Sequence, residues 1–423
     1  MKAIALVPPI LALFHPAPVA AQQELLLSRT SGSQIAGQLV ETRGTGDERA
    51  LVFKADGEGD ELVVPWNEIL SLEGPAPRVT APVAIYLVGG DEIKGEIVGG
   101  DEFGDTFLVR APVMRLRDEP IEIPVDRLRT LIYRDRAPWA TPTDFAISED
   151  SEYDEAVFVK VRRGFDVNSG QLDRFDEEGI QFVDSGRSTP RQFRTERMSG
   201  ITIRGGLPPD EPGSWLLVTT HGDRLRVDVK VVTPVAIQFE SEFGELLLGC
   251  ERIASLTLLG SDRSFLSDMS PERVEETGNP GGDGPTLLTF QKDRTVSGGV
   301  LNMARSPMDG YLVVDGRTYG KGLGVHSRCV LTYRVPEGMT RFHAKVGIDD
   351  EVRTLGVRGN VDIRVHSGEK DLFNREGMSR GGPAESLGVL EVEPGSLLTL
   401  EVGFGKGLFI GDRVDWLSAV FIK

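Results

Sequence analysis

Tyr319-Gly320-Lys321-Gly322-Leu323-Gly324-Val325-His326-Ser327, followed almost at once by Cys329-Val330-Leu331-Thr332-Tyr333-Arg334-Val335, is the stretch on which the fold turns. Glycines at alternate positions suit a backbone that packs closely against its neighbours. The run after Cys329 has the period of two that sends successive side chains to opposite faces of a strand. A dinucleotide-binding loop would need a third glycine at fixed spacing and a helix after it; here a strand follows, with no βαβ unit around it. Outward from this stretch the texture persists. Arg341-Phe342-His343-Ala344-Lys345-Val346-Gly347-Ile348-Asp349-Asp350, Val361-Asp362-Ile363-Arg364-Val365, Leu397-Leu398-Thr399-Leu400-Glu401-Val402 and the closing Asp412-Arg413-Val414-Asp415-Trp416-Leu417-Ser418-Ala419-Val420-Phe421-Ile422 all alternate. Turns recur every 8–12 residues or so, which predicts an antiparallel β-sandwich of the jelly-roll kind over residues 264–423. A Gly/Pro-rich loop, 278–285, lies near its start.

The first 260 residues carry an internal repeat. Four segments share a turn signature: Gly32-Ser33-Gln34-Ile35-Ala36-Gly37, Gly90-Asp91-Glu92-Ile93-Lys94-Gly95, Phe165-Asp166-Val167-Asn168-Ser169-Gly170 and Gly222-Asp223-Arg224-Leu225-Arg226-Val227. A second signature follows each, as in Trp66-Asn67-Glu68-Ile69-Leu70-Ser71-Leu72, Val125-Asp126-Arg127-Leu128-Arg129-Thr130-Leu131, Thr195-Glu196-Arg197-Met198-Ser199-Gly200-Ile201 and Cys250-Glu251-Arg252-Ile253-Ala254-Ser255-Leu256. Each copy reads as four or five short strands with one helical turn over the polar pair, which predicts a small β-barrel of about 50–60 residues; one long open sheet or sandwich joining the copies is the alternative. In the turn, Asp is expected to bond its own backbone. The copies are expected at 22–74, 79–135, 153–205 and 214–260, with a linker over 136–152; their spacing suggests that neighbours in sequence form two close pairs. The whole chain is therefore expected to be all-β: four tandem small barrel-like repeats, then the sandwich. The repeats resemble Sm-like and Src-homology-type barrels at a coarse level.

Composition narrows the function. With 47 Lys+Arg against 65 Asp+Glu the 423-residue chain carries a formal charge of −18, which argues against nucleic acid as a partner, because such affinity comes mainly from cations neutralising phosphates. Residues 1–21 have one early lysine, an apolar stretch broken by prolines, and Val19-Ala20-Ala21 before Gln22, the build of a secretory signal peptide cleaved after Ala21. Export to the periplasm, cell surface or medium is expected, with no membrane span. Cys250 and Cys329 are the only cysteines; they fall in different modules and are expected as buried free thiols, a bridge between them being the alternative.

The order Leu266-Ser267-Asp268, Tyr319-x-Lys321-Gly322-x-Gly324-Val325-His326, Phe342-x-Ala344-x-Val346-Gly347-Ile348-Asp349 and Asp412-x-x-Asp415-Trp416 strongly resembles the NPCBM family of carbohydrate-binding modules. The resemblance covers the last ~160 residues. It implies a galactose-binding-like jelly roll that recognises sugar through loops at one end, with a structural calcium ion in some members. The chain departs from the family pattern at His366-Ser367-Gly368-Glu369-Lys370 and in the loop 375–383. Sugar-contact candidates are His326, Asp349, Asp350, Asp412, Arg413 and Asp415, since carboxylates, guanidinium and imidazole grip paired hydroxyls; each has a plainer structural role as alternative, in turns, caps or backbone bonds. Gly322 and Gly324 are expected to serve packing, and Trp416 the core, because alternation sends Val414 and Trp416 one way and Arg413 and Asp415 the other.

No catalytic or metal-binding motif emerges. A glycosidase needs two carboxylates at a set separation in a deep cleft, and the repeats and the sandwich leave no further segment to build one; G-x-S-x-G and His-Glu-x-x-His are absent. The expected function is an exported, non-catalytic protein presenting a glycan-binding module on a stalk of small β modules. The alternatives are an envelope structural or assembly protein, which binds envelope proteins, and an accessory or remnant of a glycoside hydrolase.

Overall fold

The structure, a computed structural model, describes residues 23–57, 61–112, 119–138, 140–209, 213–277, 289–296, 310–406 and 409–423. The leader expected over 1–21 and the loop 278–285 lie outside them. The described chain is almost entirely antiparallel β, and its helical segments are 3₁₀ turns of six residues or fewer.

Each repeat contributes five strands. In the first these are Leu25–Arg29, Gln34–Arg43, Ala50–Ala55, Glu61–Pro65 and Ile69–Glu73, with the turn Trp66–Glu68 before the last. Strand one pairs with two and five, two with three, and three with four, and the other copies keep this ladder. The long second strand bulges at one repeat position in all four, at Leu39/Glu41, Ile97/Gly99, Leu172/Arg174 and Val229/Val231. A bulge bends a strand and raises its twist, which lets one strand serve both sides of a core this small. The last glycine of the turn signature answers to the same curvature. A Cβ on Gly37 would stand 2.1 Å from the Lys54 carbonyl oxygen and one on Gly170 2.0 Å from that of Val183, so the following strand leaves no room for a side chain.

The fifth strand is each copy's open edge, and an unpaired edge seeks a partner. Spacing suggested pairs adjacent in sequence; the structure instead joins the first copy to the fourth and the second to the third. Leu72 faces Leu256 in one seam and Leu131 faces Ile201 in the other. These four residues hold the same repeat position, so each seam has a local two-fold, and one hydrophobic cluster runs through all four copies. The second and fourth copies meet at their turns. Glu92 pairs with Arg224, Lys94 N donates to Asp223 Oδ1 at 2.8 Å, and Arg226 N donates to Asp91 Oδ1 at 2.9 Å. The turn aspartates thus cap each other's neighbouring strand, where the sequence suggested that each serves only its own turn. An edge amide facing another copy is the stronger demand, since a buried unpaired N–H costs about 1–3 kcal/mol.

The C-terminal unit is a two-sheet sandwich. One sheet runs Gln291–Lys292, Gly322–His326, Arg413–Ile422, Arg341–Ile348, Glu385–Glu391, with Arg263–Phe265 also on the closing strand; the other runs Arg273–Glu276, Cys329–Arg334, Leu397–Phe404, Val361–Ser367, Lys370–Met378. Trp416, Tyr333, Phe342 and Phe421 fill the space between them. All ten residues of Arg413–Ile422 are buried, because the outer face of the first sheet is also covered. The hairpin Leu312–Val314/Arg317–Tyr319 packs on Leu417, and Leu70 of the first barrel packs on Phe265, Val420 and Ile422. Polar contacts lock the same junction. Arg263 donates to Ile69 O at 2.7 Å, Tyr311 Oη to Gly222 O at 2.6 Å, and Lys345 Nζ reaches Ser28 Oγ at 2.8 Å and Glu73 Oε1 at 3.5 Å. Cys250 and Cys329 are buried and not disulfide-bonded.

Candidate functional site

Two glycines set the backbone of the motif strand. A Cβ on Gly324 would come within 2.3 Å of Arg294 O and 2.5 Å of Thr295 Cα, both main-chain atoms. Gly322 has φ +156 and would place a Cβ 2.3 Å from Trp416 O. Neither neighbour can swing aside as a side-chain end could. Gly324→Ala is therefore expected to lower stability by about 1–3 kcal/mol, the usual cost of overpacking, and a denaturant melt of the purified variant checks this.

The strand ends at His326, and the sandwich gathers there. His326 pairs in register with Arg413, and Gly324 with Asp415. The strand Arg341–Ile348 runs out into Asp349, which caps the 3₁₀ helix Asp350–Leu355 by accepting Glu351 N at 2.7 Å on Oδ1, while its Oδ2 accepts Val313 N at 3.1 Å. Asp350 accepts Gly316 N at 2.7 Å and pairs with Arg353 at 3.1 Å. Asp412 accepts Asn360 N at 2.9 Å and Ser327 Oγ at 2.7 Å. Arg413 reaches Glu351 at 3.3 Å.

The six polar candidates thus come together at one end, and all six are buried: Asp349 and Asp415 at 0%, Asp412 at 1%, Asp350 at 6%, Arg413 at 7% and His326 at 8% exposure. Four of them, Asp349, Asp350, Asp412 and Arg413, spend their polar atoms on backbone or ion-pair partners that shape the loops. Asp415 lies deeper, against Asp349. Burial, and then the Asp349 charge, push its carboxyl well above the usual range; burial raises Asp349 too, but there the Asp415 hydrogen bond and the Glu351 and Val313 N–H groups oppose the shift. Asp349 and the Thr295 hydroxyl are the side-chain hydrogen-bonding neighbours of Asp415, as suits a protonated acid beside a carboxylate.

His326 is the one with a free direction. Its Nδ1–H donates to Ser327 O at 2.8 Å, which leaves Nε2 as an acceptor. Burial holds the imidazole below its ordinary pKa, so it is neutral at pH 7. The ring meets Phe409 edge to face, with centroids 6.1 Å apart. Phe409 is half-buried and the adjacent Ile410 is 52% exposed. Sequence reasoning missed this aromatic; the signal was its place in the glycine-rich loop just before Gly411-Asp412. Trp416, by contrast, lies in the core at 1% exposure.

The barrels hold the other end of the motif strand, where Gly320 N donates to Ser255 Oγ at 3.1 Å and Arg224 donates to Gly320 O at 2.7 Å. At the His326 end the ring's contacts, to Ser327 and Phe409, lie within the sandwich. In the barrels, a cavity of about 10 Å³ lined by Trp66 and Trp215 is too small for a sugar ring. A cleft of about 270 Å³ on the second copy presents Glu96 and Arg110, which pair with each other at 3.0 Å. As for the calcium ion implied by resemblance, no three His, Cys, Asp or Glu side chains converge as a cation site among the described residues. Asp349 commits both oxygens to main-chain N–H groups, so this donor set does not fit a cation.

Residues 263–422 match the family model described as the NPCBM/NEW2 domain. Among solved structures, the chain is similar to a CBM51 module of a Clostridium perfringens GH95 protein in complex with methyl-galactose, at 18% identity over 38% of this chain and 99% of that one, TM-score 0.30. It is also similar to CBM51-2 in complex with GlcNAc and INT domains from C. perfringens ZmpB, at 20% identity over 44% of this chain and 37% of that one, TM-score 0.31. A third is the pair of tandem CBM51 modules of the Streptococcus pneumoniae family 98 glycoside hydrolase Sp3GH98, at 12% identity over 94% of this chain and 99% of that one, TM-score 0.30. No curated protein matches the chain.

Proposed function

We propose that the chain is an exported, non-catalytic glycan-binding protein whose sugar site is the His326 end of the sandwich, with the four barrels as the base that holds it. The family match over residues 263–422 gives the module class, and the observation that carries the reading is the Phe409–His326 pair at an end the barrels leave open. The half-buried ring offers a face to stack on a sugar, as aromatics do in ligand sites. Nε2 accepts a hydroxyl proton. Asp349, Asp350, Asp412, Arg413 and Asp415 act on the ligand by holding the loops in place, with His326 and Phe409 in contact.

A glycan array followed by isothermal titration on the full chain tests this. The excised sandwich is unsuitable, since it would expose Lys345, Val420 and Ile422. Phe409→Ala is expected to weaken binding about tenfold or more, given ~1–3 kcal/mol for a lost aromatic anchor, with an unchanged melting temperature. Binding should hold from pH 8 to 6 and fall only below the ordinary imidazole range, when Nε2 takes a proton. No binding by the folded chain to any glycan on the array would sink the proposal.

One observation favours a second reading. The polar side chains gathered at the tip are already occupied by the protein itself. A sandwich kept only as a structural body would look like this, in an envelope assembly protein. Pull-downs from envelope fractions that free sugars do not compete would support it.

A further inference from the structure

The barrels are linked by two contacts in alternation. The first and fourth copies share a fifth-strand seam, the fourth and second share a turn-to-turn contact, and the second and third share a fifth-strand seam. The next contact in this order would be a turn-to-turn one from the third copy, and there no partner is found among the described residues. At the other end of the order the first copy has Ser33 in place of the aspartate, and its turn lies under the sandwich: a Cβ on Gly32 would be 3.3 Å from Val389 Cγ2.

The third copy's turn keeps the features of the joined ones. Strand register equates Val157 with Ile85 and Leu217, and so Asn168 with Ile93 and Leu225. Asp166 then takes the place of Asp91 and Asp223, Val167 that of Glu92 and Arg224, and Ser169 that of Lys94 and Arg226. In the joined copies the aspartates are 5% and 1% exposed. In the third, Asp166 is exposed, and Val161 and Val167 are 44% and 49% exposed. The centre of the contact also differs. Between the second and fourth copies, Glu92 stands opposite Arg224 across the local two-fold; the two carry unlike charges and take different counter-ions, Lys94 and Arg294 for Glu92 and Asp293 for Arg224, as suits two different modules. A contact between two identical third copies would put the residue opposite itself, where like charges repel and an apolar side chain does not. The third copy has valine there.

We propose that the turn edge of the third barrel docks a second copy of this chain, with Val167 against Val167 on the two-fold and each Asp166 capping the Ser169 amide of the other protomer, as Asp91 and Asp223 cap Arg226 and Lys94 within the chain. The contact is small, so the dimer is a weak, reversible one.

Sedimentation equilibrium of the full chain tests it. Monomer and dimer should exchange reversibly, with a dissociation constant of about 10 µM to 1 mM. Val167→Glu should weaken association at least tenfold, and Asp166→Ala several-fold, both with unchanged melting temperature because these side chains are exposed. Phe103→Ser, at an exposed site on the second copy, should change nothing. Mixing Val167→Glu with Val167→Arg should restore a heterodimer that neither forms alone, because the position faces itself. A chain monomeric at 1 mM would overturn the proposal, as would a dimer indifferent to both Val167→Glu and Asp166→Ala.

Discussion

Lys345→Met is expected to lower stability by about 3–5 kcal/mol, and Glu73→Leu by a similar amount, because each strands its partner as an uncompensated charge in a dry junction. Lys345 sits on the sandwich and Glu73 on the first barrel; both side chains are essentially inaccessible, and they stand 3.5 Å apart. Ser28 and Ser71 donate to the Glu73 carboxylate at 2.9 and 2.5 Å. Burial pushes the Glu73 pKa up and the Lys345 pKa down, and in each case the partner's charge opposes the shift. Mutual contact thus offsets part of what burial costs the charged pair. The double variant, with the charges replaced by apolar groups, should recover most of the loss, since buried pairs are often no better than well-packed hydrocarbon. Equilibrium denaturation of both singles and the double closes the cycle. Singles within 1 kcal/mol of the parent would show that water reaches the junction. A second reporter is the unfolding transition itself: in the singles, sandwich and barrels should melt in two steps where the parent melts in one.

Asp415→Asn is expected to stabilise the protein at neutral and alkaline pH. The carboxyl has a folded pKa raised well above its unfolded value by burial and by Asp349. The neutral acid is therefore the form the fold prefers. Its contribution is complete below the unfolded carboxyl range near pH 4 and is lost as pH rises toward the folded value, at about 1.4 kcal/mol per pH unit over that window. An amide has no such proton to lose. Thermal melts from pH 4 to 9 should show the parent losing stability relative to the variant as pH rises, with the two closest at the acid end. Parallel curves would mean that Asp415 is not the proton-holding member. Asp349→Asn should do the opposite and destabilise, because Asp349 accepts one main-chain N–H bond on each carboxylate oxygen and an amide oxygen replaces only one of those acceptors.

Much of the architecture could be read from residue order alone. Period-two runs and closely spaced turns mark strands whatever they later pack against, and the recurring turn signature exposes the repeat, its closing glycine answering to a close approach at the second strand in the first three barrels, at Gly37, Gly95 and Gly170, where the fourth has Val227. Which copies join could not be read. Spacing reports how far apart two edges lie along the chain, while the seams depend on which apolar edges meet in space, Leu72 with Leu256 and Leu131 with Ile201. At the tip, the motif order located the convergence of His326, Asp349 and Asp412. The covering of that region was hidden, since alternation tells which face a side chain takes and not what lies on that face. Asp415 points away from the core and is still buried, because Thr295 and Val314 lie over Gly324 and Gly347, the residues on either side of it in the sheet. Phe409 went unnoticed for the converse reason: it belongs to no alternating run.

The nested seams also govern the order in which the chain can mature. The middle two barrels can close on each other while the first still presents a bare leucine-lined edge, and its mate is made about 180 residues later, roughly 10–40 s of synthesis at ordinary ribosome speed. The nesting predicts assembly from the centre outward. Any chain cut short before the fourth barrel carries a sticky strand for which only another molecule can provide cover, so an escort that shields extended edges would matter most for this protein at that interval.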